Sequence, residues 1–109
     1  MAITYKVLGQ SNPAAHTNAD LYTVPSATSA VCSTIVICNQ AASAATFRVA
    51  VRPAGASIAT AQYISYDTNV NANDSITMTI GITLATTDVV TVRANTTTVS
   101  FNLFGSELT

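Results

Sequence analysis

The chain has 109 residues, a formal net charge of -1 and only 8% charged residues, four Lys and Arg against five Asp and Glu. That is one domain's worth of chain, and four cationic side chains cannot neutralise a run of phosphates, which argues against nucleic-acid binding; 49% hydrophobic residues with no charge run exclude a disordered tail. Charged residues ordinarily make up about a quarter of a soluble protein, so this chain must keep its surface wet through Ser, Asn and its 18 Thr, or hide surface against neighbours.

Alternation with period two, bounded by Gly, Pro, Asn, Asp and Ser, predicts eight short strands. The first spans about 2–8, with Ile3, Tyr5 and Val7 on one face and Thr4 and Lys6 on the other. A polar loop or arm follows at about 9–20, and a second strand at 21–24 is stopped by Pro25, which lacks a ladder donor. The third, about 30–39, is apolar on both faces around Ile35, Val36 and Ile37, as a central or doubly covered strand would be. The fourth, 45–52, places Phe47, Val49 and Val51 inward and Arg48, Ala50 and Arg52 outward.

A fifth strand is expected at 60–66, with Tyr63 and Tyr66 on opposite faces, followed by a polar connection over 67–74. Ile76, Met78, Ile80 and Ile82 alternate with small or polar residues as one half-buried strand. The last two strands, about 88–94 and 97–104, turn Val90, Val92, Val99, Phe101 and Leu103 inward. The fold class is therefore all-β: a single domain over 1–109, an eight-stranded antiparallel β-sandwich of jelly-roll or immunoglobulin-like type. The Cys-Trp-Cys arrangement of true immunoglobulin domains is missing, since there is no Trp.

Chemistry-bearing residues are few. Cys32 and Cys38 lie six residues apart in one strand, roughly 20 Å at about 3.3 Å per residue, too far for a disulfide; two buried reduced thiols are expected. His16, the one imidazole, sits in a polar loop with no nucleophile elbow nearby, and an exposed loop histidine is expected rather than a catalytic base. Asp67-x-Asn69-x-Asn71 opens like a calcium loop, but the sixth position is Ala72 and the twelfth is Met78. No catalytic, cofactor-binding or metal site and no small-molecule substrate is expected. Apolar runs are too broken to span a bilayer, and Met1 to Lys6 lack the pattern of an export signal, so no membrane or export is expected either. Arg48 and Arg52 project from one face roughly 13 Å apart; with Arg93 they are solvated side chains or partners for acids on a neighbouring subunit.

The phrases Tyr5-Lys6-Val7-Leu8-Gly9-Gln10, Leu21-Tyr22-Thr23-Val24-Pro25, Ala45-Thr46-Phe47-Arg48-Val49-Ala50-Val51-Arg52-Pro53, Tyr66-Asp67 with Ala72-Asn73-Asp74, and Val99-Ser100-Phe101-Asn102-Leu103-Phe104-Gly105-Ser106-Glu107 occur in that order. Together they resemble small virion structural proteins of tailed bacteriophages, especially those of cyanobacteria and other aquatic hosts. The resemblance implies a non-enzymatic virion component made in the host cytoplasm, a capsid decoration or cement protein or else a tail, baseplate or fibre-associated one. It implies as partners copies of the chain itself, by analogy a trimer, and the major capsid protein or tail proteins. In that setting the arm around Asn12, Pro13 and His16, together with Arg48, Arg52 and Arg93, is the candidate interface. A carbohydrate-binding module using Tyr22, Tyr63 and Tyr66 as stacking faces is the remaining alternative.

Overall fold

The computed structural model describes residues 2–109. Eight strands form: β1 (Ile3–Ser11), β2 (Ala19–Thr23), β3 (Ser29–Asn39), β4 (Ala45–Arg52), β5 (Tyr63–Val70), β6 (Ser75–Leu84), β7 (Val89–Ala94) and β8 (Val99–Leu108). They build two four-stranded sheets, ordered β1-β8-β3-β6 and β2-β7-β4-β5. The antiparallel partners β1 with β8, β2 with β7, β3 with β6 and β4 with β5 are nested. Such nesting arises when a chain is folded at its middle hairpin and the long double strand is rolled into two layers, and it is the jelly-roll connectivity.

Between the layers, alternate residues meet as the sequence pattern requires. Phe47 of one sheet and Phe101 of the other pack edge to face at 6.2 Å, surrounded by fully buried Ile35, Ile37, Val49, Val92 and Leu103. The row Ile76, Met78, Ile80 and Ile82 packs against this core from edge strand β6 and is half-buried. One end of the sandwich is closed by buried Asn39, whose amide donates to the carbonyls of Ser43 and Asn71, while its oxygen accepts from Ala41 N–H and the Thr98 hydroxyl. That satisfies a polar side chain which would otherwise be costly to bury.

A line of irregularities crosses the first sheet. Leu8 is an extra residue in β1 against β8, and Ser33 is an extra residue in β3 against β8. At the same level, β6 shifts register where Gly81 adopts φ +56°. Gly105 of β8 lies so close to β3 that a Cβ there would meet the Val31 carbonyl oxygen at 2.1 Å. Bulges bend and twist a strand and reverse which residues face inward. In β3 the inward set is accordingly Ala30 and Cys32 before the bulge, then Ile35 and Ile37 after it.

Several expectations change as a result. Cys32 is fully buried, whereas Cys38 falls in the opposite phase and is half-buried; both thiols are free. β1 runs to Ser11 and β2 starts at Ala19, so the polar segment shrinks to 12–18. Residues 60–62 form a short 3-10 turn instead of strand, and β5 continues through Asp67, which supplies φ +50° there. Because β5 pairs irregularly with β4, Tyr63 and Tyr66 end on the same side, with ring centroids 4.9 Å apart. Among the described residues no helix is long and apolar enough to cross a membrane.

Candidate functional site

Three of the six residues expected at an interface converge on the outer face of the second sheet. Arg48 and Arg93 are directly opposed on β4 and β7, and His16 arrives from the 12–18 loop, its backbone N–H donating to the Ala94 carbonyl at 2.8 Å. Two cations facing each other across a ladder repel. The acid that relieves them is Asp67: Arg48 Nε donates to Oδ1 at 2.7 Å and Nη2 to Oδ2 at 3.2 Å. These hydrogen bonds hold the Asp67 carboxyl below the usual carboxylate range, with Arg93 and His16 adding to the effect. The Arg48 guanidinium also sits 4.1 Å over the Tyr66 ring, a cation-π contact. The result is a shallow depression of about 290 Å³ with a modest excess of positive charge.

The other three candidates go elsewhere. Arg52 is pinned within its own chain, donating to Asp20 Oδ1 at 2.9 Å, to Thr91 Oγ1 at 2.9 Å and to the carbonyls of Gly55 and Ala56. It thereby folds the 53–62 segment back over the sheet, and outward-facing Ala50 and Thr91 are buried as a consequence. Asn12 fastens the start of its loop to the Thr97 and Val99 carbonyls, and Pro13 is buried.

The remaining polar candidates are likewise engaged internally. Both oxygens of Asp67 face Arg48 and the Asn69 amide donates to Asn71 Oδ1, so the calcium-like run does not converge on one point. Among the described residues no group of three or more His, Cys, Asp or Glu is placed to hold a metal ion. Tyr22 belongs to the core and its hydroxyl donates to Glu107 at 2.6 Å, which removes it from any set of stacking faces. Burial, followed by that carboxylate, pushes the Tyr22 phenol well above its ordinary value, and the same hydrogen bond together with Lys6 holds Glu107 low. The Cys32 thiol is pushed up to about 11 by burial, which makes it a poor nucleophile.

Sequence reasoning missed a different surface. On the outer face of the first sheet Ile3, Tyr5 and Val7 are exposed, Tyr5 by 83%, and Val31 lies two strands away in the same row, across Ser106. A second exposed apolar group, Ile58, Ile64 and Tyr66, flanks the edge of the second sheet. Alternation in β1 was visible, but an alternating strand does not announce which side meets the core. The available signal was Leu8: placed next to Val7, it breaks the alternation and marks where the inward face resumes.

No family model matches the chain, and no curated protein matches it. Among solved structures, a chain from the structure of infectious bursal disease virus Gx strain is similar with a TM-score of 0.46 and 10% identity, over 97% of this chain and 30% of that one. The present chain thus spans less than a third of that chain's length.

Proposed function

We propose that this chain is a non-enzymatic structural protein of a tailed-phage virion that decorates or cements the capsid shell. The observation that carries the reading is how the surface is composed. Six of the nine charged side chains are joined in pairs inside the chain, Lys6 with Glu107, Arg48 with Asp67 and Arg52 with Asp20, while several large apolar side chains are left exposed. A surface of that kind gives up little charge hydration when it is covered by a neighbour. Jelly rolls are recurrent units of viral shells, and the sequence resemblance to small phage virion proteins points the same way.

The test is quantitative mass spectrometry of virions purified from the phage that encodes the chain, scaled to the major shell protein. Hundreds of copies per particle are expected. A dozen or so would move the protein to the tail or baseplate, and absence from washed particles would reject a virion role.

A further inference from the structure

Each sheet of an open sandwich ends in edge strands whose unpaired N–H and C=O groups invite uncontrolled pairing, and proteins blunt them with bulges, short length, charges or left-handed residues. Two of the four edges here are plainly blunted: β2 has five residues and a register shift, and β5 has two register shifts and Asp67 at φ +50°. β1 and β6 each keep an uninterrupted run of five pairs, Ile3 to Val7 against β8 and Ser75 to Thr79 against β3, before a shift at Leu8 and beside Gly81. β1 differs in what that run exposes: β6 turns Ser75, Thr77 and Thr79 to solvent, whereas β1 turns out Ile3, Tyr5 and Val7. The one charge of β1, Lys6, is tied to Glu107 of the neighbouring strand.

The ladder also defines what this edge presents. Ala2 and Thr109 exchange both backbone hydrogen bonds at 2.9 Å. In an antiparallel pair such residues alternate with residues whose polar groups point the other way. Thr4 and Lys6 therefore bond to β8, while the N–H and C=O groups of Ile3, Tyr5 and Val7 point outward. The same three residues carry the exposed apolar side chains. Free backbone groups and bare apolar surface thus coincide on one five-residue segment.

The geometry points to a second copy of this chain as the occupant: β1 pairs antiparallel with β1 of another protomer about a twofold axis at Tyr5, joining the two first sheets into one eight-stranded sheet. The segment Ile3-Thr4-Tyr5-Lys6-Val7 is complementary to itself in that register. Tyr5 faces Tyr5 of the second copy, Ile3 faces Val7, and Lys6 faces Thr4 instead of another Lys6. Three hydrogen-bonded pairs form, and the apolar row continues across the axis. Such an isologous contact consumes the edge and closes. This inference goes beyond the virion reading and stands without it.

Light scattering on the purified full chain is expected to show a dimer. Tyr5→Pro removes an N–H that β1 does not use within its own sheet, so the sandwich should form with unchanged circular dichroism while the dimer is lost. Tyr5→Lys, which sets like charges directly opposite each other, should do the same without altering the backbone. In a Cys38→Ser background, Tyr5→Cys should be linked between protomers by a short bis-maleimide, whereas Ile3→Cys should not, because the two copies of residue 3 lie about 13 Å apart along the strands in this register. A monomeric wild type, a trimer or other assembly that survives both Tyr5 variants, or equal cross-linking at residues 3 and 5 would each overturn the proposal.

Discussion

The outer face of the second sheet and the outer face of the first use the same β scaffold for opposite ends. On the second sheet, Arg48 and Arg52 bind acids of their own chain, and the 53–62 segment lies over Ala50 and Thr91, so the face is largely satisfied from within. On the first sheet, Ile3, Tyr5, Val7 and Val31 stand in solvent with nothing of their own to cover them. The charged side chains that the sequence offered as interface candidates are here mostly fasteners of the fold. The bare apolar row carries the stronger case for contact with another molecule.

The largest effect should come from the layer both faces share. Phe101→Ala removes half of the aromatic pair at the centre of the sandwich and is expected to cost about 3–5 kcal/mol, read as a lower urea midpoint. A small loss would mean that the layers are not held by this cluster and that the two faces need not be compared as parts of one unit. Next is Arg52→Ala, which cuts four hydrogen bonds from the guanidinium, one of them to a carboxylate. About 1–3 kcal/mol should be lost, with faster amide exchange confined to residues 53–62. Arg48→Ala should shift melting less, because both of its hydrogen bonds go to Asp67, in a pair as exposed and screened as that of Arg52 with Asp20, and none ties down another segment's backbone. Equal effects of the two arginines would break the distinction between fastener and surface charge.

Much of this architecture was legible in the sequence, for reasons that specific residues make plain. In β4, Phe47 and Val49 alternate with Arg48 in a phase that burial alone dictates, and β3 is central because Ile35, Val36 and Ile37 leave no polar face. The choice between jelly-roll and immunoglobulin-like connectivity was not legible, because pairing is non-local: Lys6 bonds Glu107 across 101 positions of sequence. Nor were the bulges. Ser33 and Leu8 each shift the phase by one residue, and that put Cys38 on the opposite face from Cys32 and turned Ile3, Tyr5 and Val7 outward. For the site, the convergence of His16, Arg48 and Arg93 depends on the non-local β4–β7 register and on the His16 backbone N–H reaching Ala94, and Asp67 joins them from a left-handed position inside a strand, which no local pattern signals.

The pH dependence of stability sharpens the comparison because each sheet contributes one depressed carboxyl. Glu107 is held low by Tyr22 and Lys6, and Asp67 by Arg48. A folded value below the unfolded one adds stability that is complete above the ordinary carboxylate range, about pH 4, and is lost as the pH falls through the depressed folded value. Tyr22 has the opposite sign: its raised value adds stability that is present below about pH 10 and disappears as the pH rises further. Urea midpoints from acid to alkaline pH should therefore fall on both sides. Glu107→Gln and Asp67→Asn should each flatten part of the acid limb, and Tyr22→Phe part of the alkaline one, the remainder belonging to the buried Cys32 thiol. An alkaline limb unchanged in Tyr22→Phe would show that Tyr22 does not contribute to it.

The smallest effect on stability should come from the bare face itself. Val7→Thr combined with Val31→Thr keeps β-branched side chains suited to a strand and changes only groups already in solvent, Val7 by 47% and Val31 by 36%. Surface changes of this kind usually stay within about 0.5 kcal/mol, so the urea midpoint should hardly move. Binding of a hydrophobic dye should fall, because contiguous apolar surface is what such a probe reads, and fewer copies should be recovered with virions in a competition against wild type. A clear loss of stability would mean that these valines are part of the fold after all. Unchanged dye binding and unchanged recovery would leave the second sheet, with His16, Arg48 and Arg93, as the face on which contacts with other molecules should be sought.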